Sequence, residues 1–371
     1  MIPAPTIYLS AGEPSGDAHA SAVAAALKRR LPQATLEAFG GPRLAAAGAR
    51  VLDRMEAFSV VGFVEALAKI PAHYRLHGRV RDALRAKRYD LVILVDYPGY
   101  HLRLATTAAA AGVPVLYYIA PQLWAWHEGR VKRLAAAVRR LAVILPFEEK
   151  FFRDRGVPVT FVGHPLKDRP PLPARADARR ALGLAADRPV LGVFPGSRGQ
   201  EVQRIWPIFR DAARRVLAAR PDVQVLVAGT ERDAYPDAGP LRVTTGSPEL
   251  VFAAADAGLC KSGTTTLEAA IADVPMVIAY RMNGLSFFIA QRLLRVPWVG
   301  LVNLVAEREV APELLQGAAT PRALADRVLP LLDAGTPEAR RQRDGLALVR
   351  ERLGPPGAAG RVAELAAGLL G

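Results

Sequence analysis

Short apolar runs alternate along the chain with stretches of helical spacing. The runs Thr6–Ser10, Leu91–Val95, Val113–Ile119, Ala142–Leu145, Val190–Phe194, Val223–Ala228, Ala257–Cys260 and Met276–Ala279 are β-branched or Leu-rich, nearly continuous, and bounded by Gly or Pro. Strands covered on both faces read this way. Their alternation with helical segments predicts parallel sheets flanked by helices, an α/β fold. A polar, Pro-rich break spans Lys167 to Asp187, and a fresh strand–helix series begins at Val190. That break reads as a linker between two α/β domains, 1–168 and 169–340. From Pro337 onward no strand run occurs; the pattern is two helices interrupted at Gly354-Pro355-Pro356-Gly357, with 341–371 expected to be a helical C-terminal segment. Open α/β sheets bind ligands beyond the carboxyl ends of their strands, and two such domains facing each other make one deep cleft.

Composition narrows the picture. A chain of 371 residues exceeds one average domain, and at 51% hydrophobic and 23% charged residues it supports large cores. A single cysteine, Cys260, excludes an internal disulfide and a multi-cysteine metal site, and fits a reducing cytoplasm. The N-terminus lacks the basic and apolar regions of a signal peptide, and no uninterrupted apolar stretch is long enough to span a bilayer. The expected location is therefore the cytoplasm or one membrane face. The net charge of +14 points to an anionic partner: anionic lipid, a phosphorylated substrate, or nucleic acid. No helix-turn-helix, zinc-finger or RNP pattern is present, which places nucleic acid last.

The residues that follow strands carry the chemistry. After Val190–Phe194 comes "PGSRGQEV", where Gly196 and Gly199 permit a tight turn with free N–H groups, and Ser197 and Arg198 add a hydroxyl and a planar cation. The set suits a phosphate or diphosphate at a helix start; a turn with a surface arginine is the competing reading. After Ala257–Cys260 comes "KSGTTTLEAA", with Ser262, Gly263, Thr264 and Thr265 opening a helix and Glu268 at i+4 from Thr264. Against an ordinary Ser/Thr cap, two such turns in one domain favour a nucleoside diphosphate. After Leu91–Val95, Asp96 is either a general base or an Asx-turn residue before Pro98. After Thr6–Ser10, "AGEPSGD" fits neither the dinucleotide fingerprint nor the P-loop. Trp124 and Trp126 alternate as extended residues do, facing sugar, lipid or core. Phe58, Val61, Phe63, Val64 and Leu67 form either a greasy patch for acyl chains and a membrane or ordinary core. His164 reads as a turn histidine. No His/Asp/Glu set has metal-ligand spacing.

Nine segments in order, "SAGEPSGD", "FSVVGFVEAL", "APQLWAW", "LPFEEKFF", "VGHPL", "FPGSRGQEV", "SGTTTLEAA", "AYRMN" and "NLVAEREVAPELLQ", resemble the lipid-A-disaccharide synthase family, glycosyltransferase family 19. The resemblance runs from about residue 7 to about 316. It implies a GT-B fold, two Rossmann-like domains with parallel sheets facing a central cleft and a C-terminal helix crossing back to the first domain. It implies transfer of a sugar from UDP-2,3-diacylglucosamine to the 6-hydroxyl of 2,3-diacylglucosamine 1-phosphate, giving a β(1→6) tetraacyl disaccharide 1-phosphate and UDP, with inversion and with neither cofactor nor catalytic metal. The implied location is the cytoplasmic face of the inner membrane, on an anionic phospholipid surface. By the same resemblance Asp96 is the catalytic base. Ser197 and Arg198 hold the UDP diphosphate, Ser262, Gly263, Thr264, Thr265 and Glu268 the donor phosphate and ribose, and Asn303 and Glu309 close over the donor. Gly12, Glu13, Ser15, Gly16 and Asp17 shape the acceptor side, with N–H groups toward the acceptor phosphate and Glu13 or Asp17 on a sugar hydroxyl. Two other classes stand beside this one: a UDP-sugar 2-epimerase-like GT-B enzyme and a non-catalytic membrane-bound UDP-sugar binder. The sequence leaves oligomeric state and acyl-chain length open.

Overall fold

The computed structural model describes residues 4–58, 63–126, 128–196, 199–231, 233–282 and 296–371. Its contacts divide the chain into two compact units, residues 1–168 with 354–371, and residues 169–353.

The first unit is built on a seven-stranded sheet: β1 (Thr6–Ala11), β2 (Thr35–Gly40), β3 (Arg50–Arg54), β4 (Leu91–Val95), β5 (Val115–Tyr118), β6 (Arg140–Val143) and β7 (Val159–Phe161). The order is β3-β2-β1-β4-β5-β6-β7, with every described pair parallel. All five side chains of β4, LVILV, are buried, because helices cover both faces of a parallel sheet. One face of the core joins Ile7, Leu9, Leu91, Ile93 and Val95 to Val23 and Leu27 of helix Pro14–Arg30. Val362, Ala363 and Ala366 of helix Ala358–Gly368 complete it. That last helix is fastened by Asp168, whose carboxylate accepts from the N–H groups of Gly357 and Ala358 at 2.5 and 3.3 Å. The C-terminal segment thus divides: helix Pro337–Arg352 belongs to the second unit, and only the chain from Gly354 belongs to the first.

The second unit repeats the plan with β8 (Val190–Phe194), β9 (Gln224–Gly229), β10 (Arg242–Thr245), β11 (Ala257–Lys261), β12 (Met276–Tyr280) and β13 (Glu313–Leu315). The order is β10-β9-β8-β11-β12-β13, again parallel. Leu191, Val193, Val227, Leu259 and Val277 pack against Trp206 and Phe209 of the long helix Gly199–Ala219.

In both sheets the strand order reverses beside the first strand of the unit: between β1 and β4, and between β8 and β11. Connections leave toward opposite faces there, opening a crevice at the carboxyl ends. Register places Ala11 beside Val95 and Phe194 beside Cys260. The four strand-end segments singled out from sequence therefore fall in two adjacent pairs, one at each switch point.

Candidate active site

In the first unit, β4 ends in a turn with two consecutive left-handed residues, Asp96 and Tyr97, each at φ 52°. Neither is glycine, so each costs about 1–2 kcal/mol of backbone strain. The turn persists because the Asp96 backbone is tied on both sides. Its N–H donates to the Tyr118 carbonyl at 3.0 Å. Its carbonyl accepts from the Tyr117 hydroxyl at 2.8 Å and sits 2.6 Å from His101 Nδ1. A carbonyl only accepts, so Nδ1 carries the proton; Nε2 then accepts from the Ser10 hydroxyl, 2.7 Å away. Complete burial lowers the His101 pKa to about 3, which keeps the ring neutral. His101 and Tyr117 carry no sequence signal of this role, since the one looks like a helix residue and the other like a core residue.

The opening turn lies against this one. A Cβ on Gly12 would meet the Tyr97 ring at 2.4 Å, so the ring can lie there only over a glycine. Tyr97 is held in turn by His73, whose Nε2 is 2.8 Å from its hydroxyl. Gly16 is buried, 3.6 Å from both Ala11 and Val95 by the same measure, while Glu13 and Ser15 are exposed.

Asp17 does something other than the sequence reading gave it. It is 1% exposed, and its carboxylate accepts from the N–H groups of Gly41, Arg43 and Leu44 at 2.7, 3.0 and 3.3 Å. Both of its oxygens are engaged in capping the helix Pro42–Ala46. Phe58 is likewise core rather than greasy surface: it is 7% exposed and stands edge-on to Phe39 and His73, with centroids at 5.1 Å in each case. Val61 lies outside the described residues. Phe63, Val64 and Leu67 fall on the helix Phe63–Arg85, but their side chains are outside the described structure.

The tryptophan pair is not extended. Leu123–Trp126 is a short helix, and Trp124 is buried with its Nε1–H donating to Glu148 at 3.0 Å. The Trp126 side chain is outside the described structure. Glu148 also accepts from the Leu145 N–H at 3.1 Å. Burial, with a smaller push from the nearby charge of Asp96, raises its pKa to about 7 against the pull of these donors. A buried carboxyl that feels the candidate base was not legible in "LPFEEKFF". His164 is a turn histidine, its Nδ1 accepting from the Leu166 N–H at 3.2 Å.

In the second unit, Gly196 adopts φ 103° and Gly263 φ 130°, so both strand-end turns use backbone that favours glycine. Ser197 and Arg198 lie outside the described residues. Between the two turns runs Lys261, which the sequence reading passed over. Its Nζ donates to Glu201 at 2.8 Å and lies 5.7 Å from the Tyr280 ring centre, and its stem passes close to Gly196. Thr264 begins the helix Thr264–Ile271 and is exposed, while Thr265 is half-buried. Ser262 is buried and donates to the Val299 carbonyl at 2.9 Å. Glu268 pairs with Arg169 at 2.6 Å; burial raises its pKa, and Arg169 opposes the rise.

Asn303, expected to close over the donor, is placed inside the second unit. It is fully buried, and its amide is used up inside the unit. The oxygen accepts from the Val310 and Ala311 N–H groups, and the nitrogen donates to the Ala311 carbonyl and to Glu313. It braces the loop on which the exposed Glu309 sits.

A family model described as lipid-A-disaccharide synthetase matches residues 7–356. The chain belongs to this family. It is 41% identical to a lipid-A-disaccharide synthase of Myxococcus xanthus over 98% of its own length and 97% of the relative's. Against that of Geobacter metallireducens the identity is 39% over the same shares. Family membership makes the chain an enzyme, a glycosyltransferase of lipid A biosynthesis. Among solved structures it is similar to the glycosyltransferase of kitacinnamycin, with TM-score 0.61 and 18% identity over the whole of both chains. A calicheamicin glycosyltransferase gives TM-score 0.60 and 18% identity over 100% of this chain and 99% of that one. A UDP-GlcNAc 2-epimerase from Neisseria meningitidis, bound to UDP-GlcNAc, gives TM-score 0.57 and 8% identity over 98% of each. At these identities the likeness is one of fold: two parallel-sheet α/β domains of the GT-B class. Among the described residues no helix is long and apolar enough to cross a membrane.

Proposed function

We propose that the chain transfers diacylglucosamine from UDP to the 6-hydroxyl of 2,3-diacylglucosamine 1-phosphate, with inversion at the anomeric carbon. The observation that carries this reading is the place of Asp96, at the switch point of the first unit, in a strained turn held by His101 and Tyr117. In an enzyme of this family, that is where a base for the acceptor hydroxyl belongs. The acceptor oxygen forms its bond to the anomeric carbon from the face opposite UDP. Its proton passes to the Asp96 carboxylate, and the bond to the diphosphate breaks with both electrons going to UDP.

The departing charge is met by the donor unit: the Arg198 guanidinium, the Ser197 hydroxyl, and N–H groups at the Gly196 and Gly263 turns, with Lys261 between them. Thr264 and Thr265 add hydroxyls at the helix start, and Glu268 takes the ribose when Arg169 releases it. On the acceptor side Gly12, Glu13, Ser15 and Gly16 line the approach to Asp96. Both substrates carry acyl chains, so the enzyme works at an anionic membrane surface without spanning it, on the cytoplasmic side where nucleotide sugars are available.

The test is product analysis with UDP-2,3-diacylglucosamine and 2,3-diacylglucosamine 1-phosphate. The expected result is a tetraacyl disaccharide 1-phosphate with one UDP released per bond formed. An epimerised sugar, or UDP released without disaccharide, would overturn the reading.

A further inference from the structure

The first turn of helix Pro98–Ala110, two residues beyond Asp96, opens on a cavity of about 200 Å³ lined by Pro98, Gly99, Leu102, Arg103, Arg130 and Arg133. Three of the six lining residues are arginines and none is acidic. Arg130 and Arg133 come from the start of the neighbouring helix Val131–Ala137.

Two of these arginines are held without being neutralised. Arg133 Nε donates to the Thr106 hydroxyl at 3.2 Å, which leaves its two terminal nitrogens free of that bond. The Arg103 guanidinium lies 5.1 Å from the ring centre of Tyr74. Among the described residues, none of the three pairs with a carboxylate. Arginines elsewhere in the chain do: Arg343 and Arg350 share Asp273, and Arg175 and Arg179 share Asp256. Three positive charges lining one cavity repel one another, and an anion between them relieves the repulsion. Nothing within 4 Å would meet a Cβ on Gly99, so the space beside them is open.

We infer that this cavity binds a phosphate group, and that in the reaction it takes the anomeric phosphate of the acceptor. Planar guanidinium forks match the oxygens of a phosphomonoester, whose two charges offset the repulsion of the arginines. The placement suits an acceptor that reacts at one end and carries phosphate at the other. Asp96 serves the hydroxyl, and the next turn of chain serves the phosphate. The same chemistry would also fit the headgroup of a membrane phospholipid. This inference rests on the reading of Asp96 and of a phosphorylated acceptor given above.

The experiment uses the full chain and the double variant Arg130→Gln/Arg133→Gln. Both side chains are exposed, so an unchanged melting temperature shows that the fold survives. The first measurement is calorimetric titration with inorganic phosphate against chloride at matched ionic strength. Wild type binds phosphate, and the double variant binds about tenfold more weakly or not at all. The second is the disaccharide assay in detergent. The acceptor KM rises about tenfold in the variant while the donor KM holds, and inorganic phosphate competes with acceptor in the wild type only. The third is sedimentation with phosphatidylglycerol vesicles, which the variant binds as the wild type does. Lost vesicle binding with an unchanged acceptor KM would overturn the acceptor assignment in favour of a headgroup. Equal phosphate binding by both proteins would overturn the site. A wild type that binds phosphate but makes no disaccharide would overturn the reading of the reaction and leave the phosphate site standing.

Discussion

His101 Nδ1 lies 2.6 Å from the backbone carbonyl of Asp96, five residues earlier in the chain. This contact, with that of Tyr117, turns a left-handed backbone from a strained excursion into a fixed one. It ties the fold of the strand end to the direction in which the Asp96 carboxylate can work. Asp96→Asn keeps the backbone bonds and removes the proposed base. Turnover should fall by about 10²–10⁴-fold with UDP affinity unchanged. His101→Leu keeps the carboxylate and removes the tie. It should lower kcat with little effect on donor KM, and should melt earlier by the equivalent of about 1–3 kcal/mol, from one lost bond to the Asp96 carbonyl and a buried Ser10 hydroxyl left without its acceptor. Near-wild-type kcat in both variants would remove this turn from the mechanism.

Two buried groups near that turn titrate in opposite senses. His101 has its pKa lowered to about 3, so the unfolded chain binds the extra proton between about 3 and the ordinary value of 6.5. Through that window its contribution to stability rises with pH, at about 1.4 kcal/mol per unit for one proton. Glu148 has its pKa raised to about 7, so the folded chain holds the extra proton between the ordinary 4.5 and 7. Its contribution falls with pH through that range. Between 4.5 and 6.5 the two slopes oppose each other. Glu148→Gln should uncover the histidine: relative to wild type, stability from denaturant titrations should climb with pH across that interval. Parallel curves for the two proteins would show that Glu148 is ionised in the fold.

Gly12 and Gly16 bracket the same turn yet should respond differently. Gly12→Ala drives a methyl into the Tyr97 ring. It should cost about 1–3 kcal/mol and, by moving the Asp96–Tyr97 turn, lower activity further than stability alone explains. Gly16→Ala meets only ordinary contacts at 3.6 Å and lies in a helix, so its melting temperature should hold or rise. Paired melting and activity measurements on the two variants decide the point.

Asp17→Ala tests a structural role against a substrate role. Removing the acceptor of three buried N–H groups should destabilise the first unit by about 2–4 kcal/mol. The acceptor KM of the folded fraction, measured well below the melting temperature, should be unchanged. A large KM effect in a protein that melts normally would return Asp17 to the substrate.

Much of the architecture was legible in local pattern. LVILV at β4 and VLGVF at β8 are apolar throughout because both faces of a parallel sheet are covered, and Pro98, Gly196 and Gly263 mark where those strands and β11 give way to turns and helices. Strands at the margins were not legible. TLEAFG at β2 carries Glu37, and RVLDR at β3 alternates because one side meets solvent. The three-residue β7 and β13 are too short for any periodicity to show. Polar side chains were the least readable. Asp17 and Asn303 sit in motifs that invite a ligand, yet each is bonded within its own unit, Asp17 to backbone groups and Asn303 to backbone groups and Glu313, and Phe58 is packed among aromatics.

By itself the sequence determined the α/β class, the two series of strands, the glycines of the turns, and the family. Each of these is written in neighbouring residues, as a hydrophobic period, a turn dipeptide or an ordered motif. The tertiary structure decided which strand ends meet. Pairing β1 with β4 lays Tyr97 over Gly12, and pairing β8 with β11 runs Lys261 beside Gly196. It also decided that His101 and Tyr117 converge on the backbone of one aspartate, with Ser10 behind His101. The physical reason is range. Apolar burial acts on a pattern a few residues long, whereas a buried polar group is satisfied by whichever partner the sheet order brings to it, and Ser10 and His101 are 91 residues apart.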